Sequence, residues 1–237
     1  MNGSSLHLPG IGAFFSKSFS DPLFLVAGGR KPALSWMQCL LPNTVVWCAD
    51  SGLLACLDAG ILPQRLIGDG DSTPPEVWQK AQDDGIAVTR HPADKDLTDL
   101  QLALFTAGRE LAGIPVVVTG CWGGRFDHLW ANVFSALWAG ERGVRILAFA
   151  DDKETLLLLG EGESLEIELH EEAEAVISLL PLSSECSGVE LSNVRWELKD
   201  SLLLQKHPYT VSNRPENKEN ISVSLRKGIL GVYCGWL

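Results

Sequence analysis

Short runs of Val, Ile and Leu alternate with stretches of helical length through the first 150 residues, and this limits the fold more than any other feature. The runs at 23–27, 45–49, 65–67, 86–89, 116–119 and 145–150 read as buried strands. Between them, residues 33–41, 53–59, 75–84, 98–111 and 127–139 have helical length or an apolar face near period 3.6. Pro32 and Pro75 stand where a first helical turn tolerates proline, and Gly60, Gly85 and Gly140 fall near helix ends. Strands that alternate with helices in this way build a mostly parallel sheet covered by helices. After residue 150 the pattern changes to short strand candidates at 154–159, 164–169, 175–180, 195–198, 221–225 and 229–233, with no strong helix. Residues 166–169 and 221–225 alternate apolar with polar, as half-buried antiparallel strands do. The predicted fold class is therefore α/β over 1–150, with a mostly parallel sheet flanked by helices, followed by an antiparallel β-sandwich or barrel over 151–237.

Composition narrows the partners. A chain that is 46% hydrophobic and 21% charged can bury a real core. Its net charge of -11 and its lack of a Lys/Arg cluster argue against nucleic acid and against anionic membrane surfaces, both of which need a basic face. The six cysteines, at 39, 48, 56, 121, 186 and 234, form no Cys-x-x-Cys and read as reduced, packed thiols rather than zinc ligands. The polar, Gly-rich start carries no signal-peptide pattern, and no apolar run is long enough to span a bilayer, so a cytoplasmic location is expected.

Open parallel sheets place ligands at the carboxyl ends of their strands. Five successive strand ends here carry Gly, Asp, Lys or Arg: Gly28-Gly29-Arg30, Asp50-Ser51-Gly52, Gly68-Asp69-Gly70-Asp71-Ser72, Asp94-Lys95-Asp96-Leu97-Thr98-Asp99, and Gly120 through His128. If the third segment is extended, Asp69 and Asp71 project to one side, where a hard cation shared with phosphates would bridge them; a solvated turn is the alternative. Asp96 and Asp99, three apart at a helix start, are expected to share a face. Capping by Thr98 or Asp96 accounts for one carboxylate, but not for three acids around Lys95, which is suited to a phosphate. Gly123-Gly124-Arg125 lets backbone approach an anion and ends in a guanidinium fork at a helix start. Asp127 there also reads as an N-cap, and His128 as a packed or hydrogen-bonding histidine.

In order and spacing, the segments Ala49-Asp50-Ser51-Gly52, Gly68 to Ser72, Lys95 to Asp99, Gly123 to His128 and Ser212-Asn213 resemble the signatures of thiamine pyrophosphokinases. The resemblance implies an α/β domain for ATP, a C-terminal β domain, and a homodimer with thiamine bound between subunits. It also implies Mg²⁺-dependent attack of thiamine's hydroxyl on the β-phosphorus of ATP, with release of AMP. On this resemblance Asp69, Asp71 and Asp96 hold Mg²⁺, and Asp99, Lys95, Arg125 and Asp127 complete the catalytic set. Gly28, Gly29, Asp50, Ser51, Lys95, Thr98, Gly123, Gly124 and Arg125 meet ATP, while Ser212, Asn213 and Trp196 hold thiamine. Three positions depart from the family pattern: Ser51 for a second Gly, Gly70 for an apolar residue, and Trp122 for a smaller one. Two other readings stay open, a pyrophosphokinase for another alcohol such as a hydroxymethyl-pterin, and a non-catalytic nucleotide- or thiamine-binding regulator.

Overall fold

A computed structural model describes residues 3–92, 94, 96–170, 175–216 and 219–236. It comprises two compact units, Asp21–Asp152 and a second made of Met1–Ser20 with Lys153–Leu237.

The chain opens with a hairpin, β1 (Ser4–Leu8) and β2 (Ile11–Phe15), turning at Pro9-Gly10. The α/β unit then runs through β3 (Leu23–Val26), α1 (Leu34–Leu40), β4 (Val45–Ala49), α2 (Gly52–Asp58), β5 (Arg65–Gly68), α3 (Pro75–Asp83), β6 (Ala87–Arg90), α4 (Asp99–Glu110), β7 (Val116–Thr119), α5 (Phe126–Gly140) and β8 (Ile146–Ala150). Its strands lie in the order β8-β7-β3-β4-β5-β6, and among the described residues each is parallel to its neighbour. β3, β7 and β8 are buried along their whole length, as strands covered on both faces must be. Leu23, Val116, Val117 and Leu147 show no exposure, and Leu104 of α4 is equally enclosed.

The order of the strands fixes where a ligand goes. From β3 the chain steps outward through β4, β5 and β6, then returns to lay β7 and β8 on the other side of β3. Between β3 and β7 the direction of winding reverses, and open α/β sheets bind their ligands at the strand ends beside such a switch point.

The second unit is antiparallel in all its pairings. It adds β9 (Glu154–Leu159), β10 (Ser164–Leu169), β11 (Ala175–Pro181), β12 (Glu185–Ser192), β13 (Leu198–Leu204), β14 (Ile221–Ser224) and β15 (Leu230–Trp236). One sheet has the order β1-β2-β10-β14-β12-β13, while β11, β15 and β9 pair side by side in that sequence. The alternation expected over 166–169 appears in β10, where Leu165 and Ile167 are buried and Glu166 and Glu168 are exposed.

Two expectations need correction. Residues 1–20 belong to the β unit, because β2 pairs with β10 from Ile11↔Leu169 to Phe15↔Leu165; the predicted boundary near 150 holds only for the second junction. The strand expected at 195–198 begins at Leu198 instead, and β1, β2 and β12 were not foreseen. Ser and Gly within these strands obscure their alternation, and two register shifts interrupt the pairing of β12 with β13. Ile11 is fully buried, so Ile11→Ala should destabilise the protein by about 2–5 kcal/mol in urea denaturation. A change within about 0.5 kcal/mol would mean that the N-terminal hairpin is a peripheral appendage.

Candidate active site

At the crevice between β3 and β7 lies a cavity of ≈ 350 Å³ in the α/β unit. Gly28 and Gly29 follow β3, Asp50 and Ser51 follow β4, and Ser72 belongs to the loop after β5. Thr98 and Asp99 start α4, and Cys121, Gly123, Gly124, Arg125, His128 and Asn132 come from the loop after β7 and from α5.

Three carboxylates converge here. Asp50, Asp69 and Asp99 each offer an oxygen, and these oxygens all lie within 4.8 Å of one another. β4 and β5 are adjacent and parallel, so the residues that follow them come side by side. Asp99 arrives on the first turn of α4, where a capping box fixes the helix start: the Thr98 hydroxyl accepts from Gln101 N at 3.2 Å, and the Gln101 side chain accepts from Thr98 N at 3.0 Å. Asp50 is buried with φ 41°, a left-handed backbone that Asp tolerates better than most residues, and one of its carboxylate oxygens has no hydrogen-bond partner. Burial pushes the Asp50 carboxyl above its ordinary pKa; a hydrogen bond from Ser72 opposes this, and the Asp99 and Asp69 charges add to it. A buried, unpaired carboxylate oxygen facing two more acids is a donor set that fits a hard divalent cation.

This is not the trio that spacing suggested. Gly70 has φ 77°, which breaks the extended backbone on which Asp69 and Asp71 would point the same way. The Asp69 side chain instead accepts from Asp71 N at 3.1 Å, and the exposed Asp71 carboxylate takes the Ser72 hydroxyl at 2.8 Å. Asp96 is exposed and precedes the helix, so it does not share a face with Asp99. Asp50, expected to meet ATP, lines the cavity and is also the buried member of the acid group. Its signal lay in its register: it follows its strand just as Asp69 follows the neighbouring one. Lys95 lies outside the described residues.

The glycine-rich loop brings Gly123, Gly124 and Arg125 to the cavity. Arg125 is exposed, and its guanidinium donates to Asp127 at 3.1 and 2.5 Å. Hydrogen bonding to Asp127 raises the Arg125 pKa, and the same contact lowers that of Asp127. Arg125, not Asp127, is the N-cap residue of α5. Trp122 is buried edge-on to Phe149, with ring centroids 6.3 Å apart, and so fills the core behind the loop. Cys121, Ser72 and Asn132 were missed. Asn132 sits one helical turn beyond His128 on the same face of α5 and donates to the Cys121 carbonyl at 3.1 Å.

In the β unit, Ile177, Leu179, Leu191, Leu198, Trp196 and Tyr209 are among the residues lining a second cavity of ≈ 150 Å³. Trp196 and Tyr209 are both more than half exposed above it. Asn213 is buried and lines the cavity, and its amide binds backbone: Oδ1 accepts from Trp196 N at 3.1 Å and Arg214 N at 2.9 Å, while Nδ2 donates to Trp196 O at 2.8 Å. Asn213 therefore holds the Trp196 segment. Ser212 is exposed at φ 59°, its N–H donating to the Ser178 hydroxyl at 3.0 Å.

A doubly wound α/β unit with a carboxylate trio and a glycine-rich loop at its switch point, in one chain with an antiparallel β unit, defines a class of proteins that bind ligands at the ends of parallel strands. The particular family follows from comparison. Residues 37–148 match the thiamin pyrophosphokinase catalytic domain, and residues 164–230 match the thiamin pyrophosphokinase vitamin B1 binding domain. The chain belongs to the thiamin pyrophosphokinase family. It is 28% identical over 207 residues to the thiamine pyrophosphokinase of Bacillus subtilis, covering 87% of this chain and 94% of that one. It is also 28% identical over 162 residues to thiamine pyrophosphokinase 1 of Oryza sativa subsp. japonica, covering 66% and 60%. Among solved structures, the Bacillus subtilis thiamine pyrophosphokinase superposes with a TM-score of 0.78 at 24% identity, covering 91% of this chain and 99% of that one. Yeast thiamin pyrophosphokinase gives 0.73 at 14% identity, covering 94% and 88%. These likenesses extend the fold across nearly the whole chain.

The raised pKa of Asp50 sets the sign of a stability test. A carboxyl whose folded pKa lies above its unfolded value adds stability at low pH and loses it as pH rises through the folded pKa. At pH 7 without divalent ions, Asp50→Asn should therefore melt no lower than the parent, and by about 2 °C or more higher. The same variant should lose the rise in Tm that added Mg²⁺ gives the parent; a rise of equal size in both would remove Asp50 from the cation site.

Proposed function

We propose that this chain transfers the pyrophosphoryl group of ATP to the hydroxyl of thiamine, giving thiamine diphosphate and AMP. The observation that carries the proposal is the Asp50–Asp69–Asp99 group beside the glycine-rich loop, within the span matched by the thiamin pyrophosphokinase catalytic domain. Asp50, Asp69 and Asp99 would hold Mg²⁺. When bound, the ion neutralises charge on the phosphate oxygens.

The remaining tasks fall to the chain itself. Gly28, Gly29, Gly123 and Gly124 bring backbone to the cavity wall without side chains, so a polyphosphate can approach closely. Arg125 stands at the cavity with a planar fork, and Asp127 fixes its direction. Phosphoryl-type transfer asks mainly for positioning and charge stabilisation, and this arrangement supplies both. For the acceptor, the exposed rings of Trp196 and Tyr209 over an apolar cavity suit thiamine, whose thiazolium ring is an aromatic cation, and Ser212 follows shortly after Tyr209. Asn213 lines the same cavity and also holds the Trp196 backbone in place. The exposed Trp196, Leu202, Tyr209 and Val211 also support a homodimer that covers this apolar surface. The free cysteines fit a reducing cytoplasm, and no described helix is long and apolar enough to cross a membrane.

The deciding experiment incubates the full chain with Mg-ATP, with and without thiamine, and measures AMP and thiamine diphosphate by mass spectrometry. Thiamine-dependent formation of both products is expected. Asp99→Asn should lower kcat at least about 100-fold, and Trp196→Ala should raise the thiamine KM at least about tenfold with the ATP KM unchanged. Absence of AMP with thiamine from a folded, ATP-binding protein would redirect the assignment to another acceptor alcohol or to a regulator.

A further inference from the structure

The loop after β7 gains its position from a contact that no motif marks. Asp151, just past the end of β8, has a side chain with no solvent exposure, and both Nε and Nη2 of Arg30 donate to its Oδ2, at 2.9 and 2.6 Å. Arg30 follows Gly28 and Gly29 at the end of β3, and its guanidinium is only 29% exposed. A salt bridge enclosed in this way is stiff, because breaking it strands a charge away from water.

What Arg30 carries is the glycine-rich loop. Its backbone N–H donates to the Trp122 carbonyl at 2.5 Å, and that of Gly29 donates to the Gly120 carbonyl at 2.6 Å. The Arg30 side chain also lies against Gly123, where an added Cβ would come within 3.0 Å of the Arg30 Cβ. Next door, Asp152 accepts from Ala33 N at 2.7 Å, so consecutive aspartates at the end of β8 hold both the side chain and the backbone of the segment after β3. Neither Arg30 nor Asp151 is among the residues that line the cavity.

We propose that the Asp151–Arg30 ion pair is a strut that sets the Gly120–Gly124 loop at the cavity wall, making both residues positioning residues for the polyphosphate of the nucleotide. The nucleotide part rests on the function proposed above. The strut acts between three parallel strands: β8 supplies the anchor, β3 the lever and β7 the loop. Displacement of an anion-binding backbone by about 1 Å is enough to cost on the order of 100-fold in a reaction that depends on orientation.

Two readouts on Asp151→Asn, which keeps the shape and removes the charge, test this in the full chain. The first is amide exchange at Gly29 and Arg30, whose N–H groups report directly on loop docking. Their exchange should accelerate at least about tenfold while Leu25 and Val26 inside β3 keep their rates. The second is affinity for the α,β-methylene analogue of ATP with Mg²⁺, expected to fall on the order of 10- to 100-fold. Unchanged exchange at Gly29 and Arg30 overturns the strut, and so does a loosened loop with unchanged analogue affinity. A uniform rise in exchange across β3 would also overturn it, since that is what a merely structural role predicts. If the parent itself does not bind the analogue, the nucleotide reading fails and the exchange measurement alone decides the strut. Should Asp151→Asn not fold, Arg30→Lys keeps the charge but loses the two-nitrogen contact, and the same two shifts are expected at smaller size.

Discussion

Mutual repulsion among three carboxylates is the constraint around which the α/β unit is arranged. Two unit charges less than 4.8 Å apart repel by on the order of 3 kcal/mol at an effective dielectric of about 20. Asp50 adds a burial cost, and its backbone sits at φ 41°, a conformation that costs on the order of 1 kcal/mol or more. Hydrogen bonds from Ser72 and from the Ser51 backbone offset only part of these terms, and one Asp50 oxygen is unpartnered. Such a group persists because rigid elements over-determine it: two adjacent parallel strands deliver Asp50 and Asp69, and a capped helix delivers Asp99. The arrangement makes sense as a receptor for positive charge, with the free protein bearing strain that a cation relieves.

Opposite the acids the problem is inverted, and the solution is backbone rather than charge. The loops after β3 and β7 come together at the switch point, where Gly29 N–H meets the Gly120 carbonyl and Arg30 N–H meets the Trp122 carbonyl. Among the described residues the guanidinium at the cavity is that of Arg125, exposed and tied to Asp127, while Arg30 is turned inward to Asp151. The two arginines thus differ in setting: one lines the cavity, and the other is enclosed behind its wall.

Much of this was legible in the sequence. The five helices, the six parallel strands and the segments that reach the cavity all followed from period and from the rule that ligands gather at strand ends. Asp71 was misplaced because period-two reasoning assumes an extended chain, and Gly70 at φ 77° reverses direction between the two aspartates. Asn213, given a thiamine contact by the family resemblance, lines the apolar cavity of the β unit and also binds the backbone of Trp196 and Arg214, a second task that no sequence pattern records. The hairpin at residues 4–15 escaped notice because its partner, β10, lies some 150 residues away, and no local pattern encodes so distant a pairing.

The three departures from the family pattern become intelligible in the same terms. Trp122 fills space behind its loop against Phe149, away from the cavity. Ser51 brings its Oγ so close to Gly28 that an added Cβ there would lie 2.1 Å from it, so the larger residue after β4 is matched by the absence of a side chain after β3. At Gly70 the missing side chain is met by the buried Trp78 ring of α3, whose atoms would stand 3.3–3.6 Å from a Cβ. A tryptophan at that distance limits the space into which the aspartate loop can fold, and the Asp69 side chain closes the turn by accepting from Asp71 N. The loop is thereby braced from one side by an indole and from within by a carboxylate, which lets a glycine stand at its centre without freeing Asp69 from the acid group.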